Sequence, residues 1–247
     1  MTKSGPWSDI NKDYPNTLSP ETIQSLEALN FPTMTPVQEN VIPYLLHYKD
    51  VAVEAITGSG KTLAFLVPAI EYLKKYSSQA NEITALILLP TRELAKQILD
   101  VLTPFVQFHP FIKPQLLIGG CSATEDLEKF KEIQPNIIIA TPGKLHDFIT
   151  LLPPTEFKRL ELFIVDEADQ ILKNGLETHL TAIFQALPKQ RRTGLFSATL
   201  TSELLKITHA GMRNPVFLRI NNDGATPVEL VNFYTIVDPN YKLIQLI

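Results

Sequence analysis

The stretch Ala55-Ile-Thr-Gly-Ser-Gly-Lys-Thr62 decides the fold of this 247-residue chain. Apolar runs at 51–53 and 63–67 flank it, so the sequence predicts a strand, a glycine-rich turn and a helix that begins near Thr62. Glycines let the backbone curl until its N–H groups point at a phosphate, and the helix N-terminus adds the positive end of its dipole. The sequence therefore predicts a phosphate-binding loop.

Two side chains of this loop carry specific chemistry. The Lys61 ammonium can reach the outer phosphates of a nucleotide, and the Thr62 hydroxyl can hold Mg²⁺. The general pattern has glycine at its first position, where this chain has Ala55. The alternative, a glycine-rich turn that binds nothing, is rare between a buried strand and a helix. The nucleotide-binding residues expected in the loop are Thr57, Gly58, Ser59, Gly60, Lys61 and Thr62.

Two carboxylates, Asp166 and Glu167, follow the apolar run at 162–165. Four consecutive apolar residues predict a strand buried on both faces. Ligands of open α/β sheets lie beyond the carboxyl ends of the strands, so we expect Asp166 to face the same crevice as Lys61. We assign Asp166 to Mg²⁺, together with Thr62, and Glu167 to the attacking water. Lys61, Asp166 and Glu167 are thus the expected catalytic residues, although carboxylates seen alone after a strand are more often a solvated turn.

The same order of apolar strand, polar cluster and helix pattern recurs along the chain. Strands that alternate with helices predict a parallel sheet with helices on both faces. The expected fold class is therefore α/β, in three α/β/α layers, with every polar cluster on one edge of the sheet. The further strands are expected at 85–89, 115–118, 137–140 and 194–196.

The composition limits the class of protein. Hydrophobic residues make up 45% of the chain, which is ample for a buried core, and no apolar stretch approaches the ~18 residues of a membrane span. Cys121 is the single cysteine and cannot form an internal disulfide. We therefore expect an intracellular protein of a reducing compartment, with no membrane partner. The net charge of −4 argues against a broad basic surface for nucleic acid.

The two ends of the chain differ from its middle. Residues 1–18 contain Pro6 and Pro15 and predict an extended arm. Ser19 and Pro20 then predict a helix start, with the serine as its cap. Residues 231–237 show a strand pattern, and an apolar helix pattern follows them. We interpret these two patterns as the beginning of a second domain. We expect one domain at 19–225, followed by a linker and the truncated start of a second domain at 226–247.

Together, these clusters resemble the motifs of the N-terminal RecA-like domain of a DEAD-box RNA helicase, over nearly the whole chain. The resemblance implies a RecA-like P-loop NTPase fold, ATP and Mg²⁺ as cofactors, and RNA as a partner. The segments 34–38, 54–57 and 188–199 are most similar to the subgroup acting in assembly of the large ribosomal subunit. That likeness implies pre-ribosomal particles as partners and a nuclear, nucleolar location. The motifs are Phe31 with Thr35-Pro-Val-Gln38, the loop at 55–62, Pro90-Thr-Arg-Glu-Leu-Ala95, Gly119-Gly120, Thr141-Pro-Gly-Lys144, Asp166-Glu-Ala-Asp169 and Ser197-Ala-Thr199.

The resemblance extends the expected nucleotide site to residues that contact the base. Gln38 matches the glutamine that reads adenine, and a carboxamide can pair with the amino group and a ring nitrogen of that base. Thr35 and Gln38 also have the spacing of a capping box, and both roles can hold. Phe31 fits a ring that stacks on the base. Trp7 matches the upstream aromatic residue, or it only anchors the arm.

The resemblance also implies a surface that grips single-stranded or short duplex RNA by its backbone. Thr91 and Thr141 are plausible N-caps whose helix starts present N–H groups to a phosphate. Lys144 stands where arginine is usual. Few phosphate contacts predict a slope of log K against log salt of roughly −3. The expected RNA-binding residues are Pro90, Thr91, Arg92, Gly120, Thr141, Gly143 and Lys144, and those that couple RNA to nucleotide are Asp169, Ser197 and Thr199.

The implied activity is an RNA-stimulated ATPase that unwinds short duplexes. Because the family's arginine finger lies in a second RecA-like domain, we expect this chain alone to be nearly inactive. We also expect it to be monomeric. One alternative is an RNA-binding assembly module that uses ATP as a switch without turnover, and the intact Glu167 argues against it. A DNA-directed motor is another alternative, and competition between matched RNA and DNA strands distinguishes it, since only RNA offers 2′-hydroxyls.

Overall fold

The computed structural model describes residues 5–15, 17–76 and 82–220. It confirms the expected α/β class, with seven strands in one sheet in the order β3-β4-β2-β5-β6-β1-β7. Every pairing between these strands is parallel. The strands are β1 Val51–Glu54, β2 Ala85–Leu88, β3 Pro114–Leu117, β4 Ile137–Ala140, β5 Leu162–Val165, β6 Arg192–Ser197 and β7 Val216–Arg219.

The strands expected before residue 200 agree with β1 to β6 to within about two residues at each end, whereas β7 was not expected. Ten α-helices lie in the described residues, and short 3₁₀ helices occur at Trp7–Asp9 and Pro154–Phe157. Among these residues, no helix is both long and apolar enough to cross a membrane. The α-helices are α1 Ile10–Asp13, α2 Pro20–Ala28, α3 Pro36–Leu46, α4 Lys61–Lys75, α5 Arg92–Phe108, α6 Ala123–Ile133, α7 Pro142–Leu151, α8 Ala168–Lys173, α9 Glu177–Ala186 and α10 Ser202–Gly211.

The strand side chains alternate between two hydrophobic cores, one on each face of the sheet. In β5, Leu162 and Ile164 belong to the core that α2–α5 cover, whereas Phe163 and Val165 belong to the core that α7–α10 cover. Both sets are fully buried, which is why the central strands read as continuous apolar runs. The three-layer arrangement leaves the carboxyl ends of the strands as the edge where polar side chains collect.

The expected extended arm is wrong for the described part of residues 1–18. This segment forms the 3₁₀ helix at Trp7–Asp9 and then α1. Trp7, Ile10 and Leu18 are each at most 3% exposed and belong to the α2–α5 core. Burial of these apolar side chains outweighs the preference of prolines for extended chain.

The expected cap at Ser19 is only partly observed, and the expected second domain lies outside the described residues. Ser19 occupies the N-cap position of α2, but its hydroxyl donates to Glu71 Oε1 at 2.9 Å and makes no cap hydrogen bond. The strand and helix patterns after residue 230, and the domain boundary at 225, lie outside the described residues. The division into domains therefore stays a prediction.

Candidate nucleotide site and adjoining cleft

The predicted phosphate loop lies between β1 and α4. Gly58 and Gly60 have φ angles of 81° and 96°, in the left-handed region that favours glycine. A Cβ at Gly60 would lie 2.6 Å from Thr35 Oγ1, so this position also lacks room for a side chain. Ser59 is 6% exposed and its hydroxyl oxygen has no hydrogen-bond partner among the described residues. A buried polar atom without a partner in such a loop fits a site for a phosphate-bearing ligand.

Lys61 begins α4 and is 5% exposed. Its ammonium donates to Glu167 Oε1 at 2.9 Å and to the Ala55 carbonyl at 3.1 Å. In the sheet, β6 lies between β1 and β5. The phosphate loop after β1 and the carboxylates after β5 therefore meet across one intervening strand. The convergence of Lys61 with the carboxylates after β5 is thus observed.

Asp166 lies directly after β5 and is 6% exposed. Burial raises the pKa of its carboxyl to about 6; the Lys61 charge opposes this shift and the Glu167 charge adds to it. One Asp166 oxygen accepts the Glu167 backbone N–H at 2.9 Å. A buried carboxylate with a raised pKa is poised to gain from a nearby cation.

Glu167 has φ 49° and ψ 46°, a left-handed conformation that is uncommon for a residue with a side chain. Strained backbone of this kind is often found at functional sites. The conformation places the Glu167 side chain against Lys61 while α8 begins at the next residue.

Thr62 and Asp166 are the residues that could hold Mg²⁺. Across the described residues, no three His, Cys, Asp or Glu side chains gather into a metal cage. Mg²⁺ on a nucleotide does not need one, because phosphate oxygens and water supply most of its ligands. A half-buried hydroxyl and one desolvated carboxylate beside a phosphate loop therefore fit this ion.

Gln38 connects α3 to the phosphate loop. Its Oε1 accepts the Thr35 backbone N–H at 2.8 Å, which is one half of the expected capping box. The Thr35 hydroxyl oxygen has no hydrogen-bond partner among the described residues. Its Nε2 donates to the Gly60 carbonyl at 3.0 Å. One N–H and one lone pair of the carboxamide remain for a base. The Gln38 half of the capping box is confirmed, and the contact with adenine stays a prediction.

The two aromatic residues expected near the base differ in accessibility. Phe31 is 37% exposed, so its side chain is accessible to a ligand. Trp7 is 1% exposed, and its indole N–H donates to the Phe31 carbonyl at 2.5 Å. Trp7 therefore anchors its own segment and the backbone of Phe31, and its burial leaves no ring face for a base.

Asp169 is the centre of the expected coupling group. Ser197 Oγ lies 2.8 Å from Asp169 Oδ1, and Thr199 Oγ1 donates to Asp169 Oδ2 at 3.4 Å. Lys173 Nζ lies 3.2 Å from the same Oδ2. The sequence analysis did not include Lys173, although it follows Asp169 by four residues on one helix, a spacing at which side chains meet. Burial raises the pKa of Asp169, but hydrogen bonds from Ser197 and Lys173 outweigh it and leave that pKa below its usual value.

A second cleft, of about 530 Å³, adjoins the nucleotide site on the same edge of the sheet. The Thr91 hydroxyl accepts from Leu94 N at 3.3 Å, which confirms it as an N-cap. Thr141 is the N-cap residue of α7 but makes no side-chain cap bond. The residues lining this cleft include all the expected RNA-binding residues except Gly120: Pro90, Thr91, Arg92, Thr141, Gly143 and Lys144.

Two contacts shape this cleft in ways that the sequence did not indicate. A Cβ at Gly119 would lie 2.8 Å from Arg92 Nη2, so glycine there makes room for the arginine. Lys144 Nζ lies 2.6 Å from Asp126 Oδ2 and donates to the Cys121 carbonyl at 2.7 Å. The Lys144 charge is therefore already paired with a carboxylate that is 3% exposed. No local sequence signal links Asp126 with Lys144.

The parallel sheet and the phosphate loop define a RecA-like nucleotide-binding domain. The profile of the DEAD/DEAH box helicase family matches residues 35–207, and the chain belongs to this family. The ATP-dependent RNA helicase DDX55 of Gallus gallus is 45% identical, over 98% of this chain and 43% of its own length. The ATP-dependent rRNA helicase SPB4 of Lodderomyces elongisporus is 40% identical, over 98% of this chain and 41% of its own.

A solved structure gives the same fold. Mss116p bound to ssRNA and AMP-PNP aligns with a TM-score of 0.78 and 29% sequence identity, over 89% of this chain and 46% of that one. The chain thus spans less than half the length of each of these three proteins.

Proposed function

We propose that this chain is the ATP-binding part of an RNA-dependent ATPase that unwinds short RNA duplexes. The observation that carries the proposal is the 2.9 Å pair between Lys61 and Glu167 beside the buried Asp166, at the end of the phosphate loop. The relatives named as RNA helicases and the neighbour bound to ssRNA and AMP-PNP support the same substrates.

Each residue of the site has a distinct role in this proposal. The loop amides at 57–62 bind phosphate oxygens, and Lys61 neutralises the outer phosphates. Thr62 and Asp166 would hold Mg²⁺, which supplies charge neutralisation at the phosphates. When Lys61 pairs with phosphate, Glu167 is free to orient the attacking water and accept its proton.

RNA would lie in the adjoining cleft. The N-terminal ends of α5 and α7 open into it, and Arg92 supplies a cation. Such contacts grip phosphates without reading bases. Ser197 and Thr199 hold Asp169 two residues beyond Glu167, so a shift of this group would transmit the nucleotide state towards the RNA side.

We further propose that the RNA is ribosomal and that the protein acts on pre-ribosomal particles in the nucleolus. The relative from Lodderomyces elongisporus, which is named as an rRNA helicase, supports this substrate class. We also propose that the 247-residue chain alone is monomeric and turns over slowly. An arginine finger supplied from another domain is worth about 10³–10⁵ in rate.

The test measures two binding events and one reaction. Binding of a fluorescent ATP analogue to the chain should require Mg²⁺, and the full-length protein should hydrolyse ATP faster when single-stranded RNA is added. The slope of log K for RNA against log salt should be roughly −3. RNA binding that requires ATP but is accompanied by no hydrolysis in the full-length protein would favour the assembly-module alternative, and stronger stimulation by matched DNA would favour a DNA motor.

A further inference from the structure

A cavity of about 580 Å³ lies at the edge of the sheet opposite the nucleotide site. Asp50, just before β1, and Thr193, near the start of β6, mark the amino ends of the strands there. The walls come from α9 and α10 and from the segments that follow them. This cavity shares no lining residue with the cleft assigned to RNA.

The cavity combines an apolar floor with a basic rim. Phe184, Ile207 and Met212 line it and are each at most 8% exposed. Three exposed cations stand around them, namely Lys189, Lys206 and Arg213. Among the described residues, no carboxylate pairs with any of these three side chains.

The charge of the cavity is opposite to that of the chain. Its lining carries four cations, Arg191 included, and one acid, Asp50, which gives a formal charge of +3. The whole chain carries −4. Asp50 is 3% exposed, and its two oxygens accept the backbone N–H groups of Thr193 at 3.0 Å and Arg213 at 2.7 Å. The Asp50 oxygens are therefore engaged by the backbone. Arg213 donates one terminal nitrogen to the Arg191 carbonyl at 2.5 Å, whereas Lys189 and Lys206 have no salt-bridge partner among the described residues.

Arg191 is 3% exposed and lines the same cavity. Its terminal nitrogens donate to main-chain carbonyls at the ends of α9 and α10, including those of Leu187 at 3.2 Å and Gly211 at 3.5 Å. These bonds give Arg191 a structural role, as a clamp on two helix ends. Its Nε, however, has no partner among the described residues, and a buried N–H without an acceptor is unusual.

We propose that this cavity binds an acidic peptide segment of a partner protein, with an apolar side chain on the floor and carboxylates paired with the rim. The volume lies in the range of cavities that hold drug-sized groups, about 300–1,000 Å³, and exceeds what one phosphate needs. An apolar floor matches a leucine-sized anchor. Charge complementarity favours an acidic segment at the basic rim, and the net negative charge of the whole chain disfavours binding of the same segment elsewhere on its surface.

RNA fits this cavity less well than an acidic peptide does. Single-stranded RNA is held by a basic track together with aromatic rings on which bases stack. Of the described residues that line the cavity, Phe184 alone is aromatic, and at 8% exposure its ring presents too little surface for a base to stack on.

The test uses a fluorescein-labelled peptide, Glu-Asp-Glu-Leu-Asp-Glu-Asp, and fluorescence anisotropy with the 247-residue chain. Lys189→Glu combined with Lys206→Glu reverses two exposed rim charges that form no salt bridge with any residue the structure describes. Lys96→Glu combined with Lys129→Glu is the matched control, because both lysines are exposed on α5 and α6, away from the cavity. Unchanged thermal unfolding of both variants establishes that they are folded.

We expect the rim variant to bind the peptide about tenfold more weakly, and the control variant to bind within about twofold of the parent chain. A peptide with serine in place of leucine should also bind several-fold more weakly. The proposal is overturned if the two variants lose affinity equally, if the peptide fails to bind at millimolar concentration, or if the serine peptide binds as well. Displacement of the peptide by 10 mM inorganic phosphate would also overturn the proposal. So would displacement by single-stranded RNA together with loss of RNA binding in the rim variant. None of these outcomes depends on ATP hydrolysis, so the test is independent of the proposed function.

Discussion

The Lys61 ammonium lies 2.9 Å from a carboxylate oxygen of Glu167, although 106 residues separate the two in the chain. Both side chains are largely buried, at 5% and 14% exposure, so the pair is only weakly screened by water. A phosphate that enters the loop would compete with Glu167 for the same ammonium. In the proposed function, this pair lies where the nucleotide phosphates and the proposed catalytic carboxylate would meet.

Lys61→Ala should weaken binding of an ATP analogue by about 10- to 100-fold. Hydrogen bonds to charged groups contribute about 1.5–3 kcal/mol, which corresponds to this range of affinity. Titration of the chain with a fluorescent ATP analogue in Mg²⁺ measures the effect. Lys96→Ala, an exposed lysine on α5, is the control and should leave affinity unchanged. Equal affinity of Lys61→Ala and the parent chain would contradict the assigned site.

Glu167→Gln should reduce RNA-stimulated ATP hydrolysis in the full-length protein by about 10²–10⁴-fold, while nucleotide binding persists. The amide keeps the shape of the side chain but cannot accept the proton of the attacking water. Single-turnover hydrolysis, together with the binding titration, separates the two effects. Glu132→Gln on α6 is a matched control, since Glu132 is exposed. Hydrolysis that survives in Glu167→Gln would assign the water to another residue.

The sequence could predict which polar clusters meet, because the carboxyl ends of parallel strands lie on one edge of a sheet. Lys61, Asp166 and Ser197 all follow this rule. Pairings set by tertiary packing were not predictable. Asp126 gives no local sign that it pairs with Lys144, and Trp7 lies between prolines that read as an extended arm. The buried Arg191 likewise depends on two helix ends that only the fold brings together.

Ser197→Ala should lower the free energy of unfolding by about 1–3 kcal/mol. Ser197 is fully buried, and its hydroxyl lies 2.8 Å from Asp169 Oδ1, so its loss leaves a buried carboxylate oxygen without this partner. The same hydroxyl accepts the Asp169 backbone N–H at 3.3 Å. Urea unfolding of the chain measures the change. Ser202→Ala, at an exposed position in α10, should differ from the parent chain by a few tenths of a kcal/mol at most.

Gly60→Ala should destabilise the chain by about 1–3 kcal/mol and abolish tight nucleotide binding. The substitution forces a side chain into a φ of 96°, 2.6 Å from Thr35 Oγ1. Relief of this contact would move the backbone whose N–H groups line the phosphate loop. Gly143→Ala is the matched control for stability, because a Cβ there meets nothing within 4 Å. The two glycines should therefore differ clearly in thermal unfolding, and similar losses would contradict the strain at Gly60.

His109 should make the chain less stable in mild acid. Burial holds the pKa of its imidazole below the usual 6.5, and Glu71 and Glu21 only partly offset the burial. The ring lies 3.1 Å from Ser25 Oγ. As the pH falls below 6.5, His109 binds a proton in the unfolded chain but not yet in the folded chain. The free energy of unfolding therefore decreases by up to about 1.4 kcal/mol per pH unit, until the pH reaches the lowered pKa of His109 in the folded chain. Urea unfolding at pH 7.5 and pH 5.5 should show a smaller loss for His109→Gln than for the parent chain. His209→Gln changes an exposed histidine and should lose as much stability between pH 7.5 and pH 5.5 as the parent chain. Equal losses in the parent chain and both variants would show that His109 does not cause the effect.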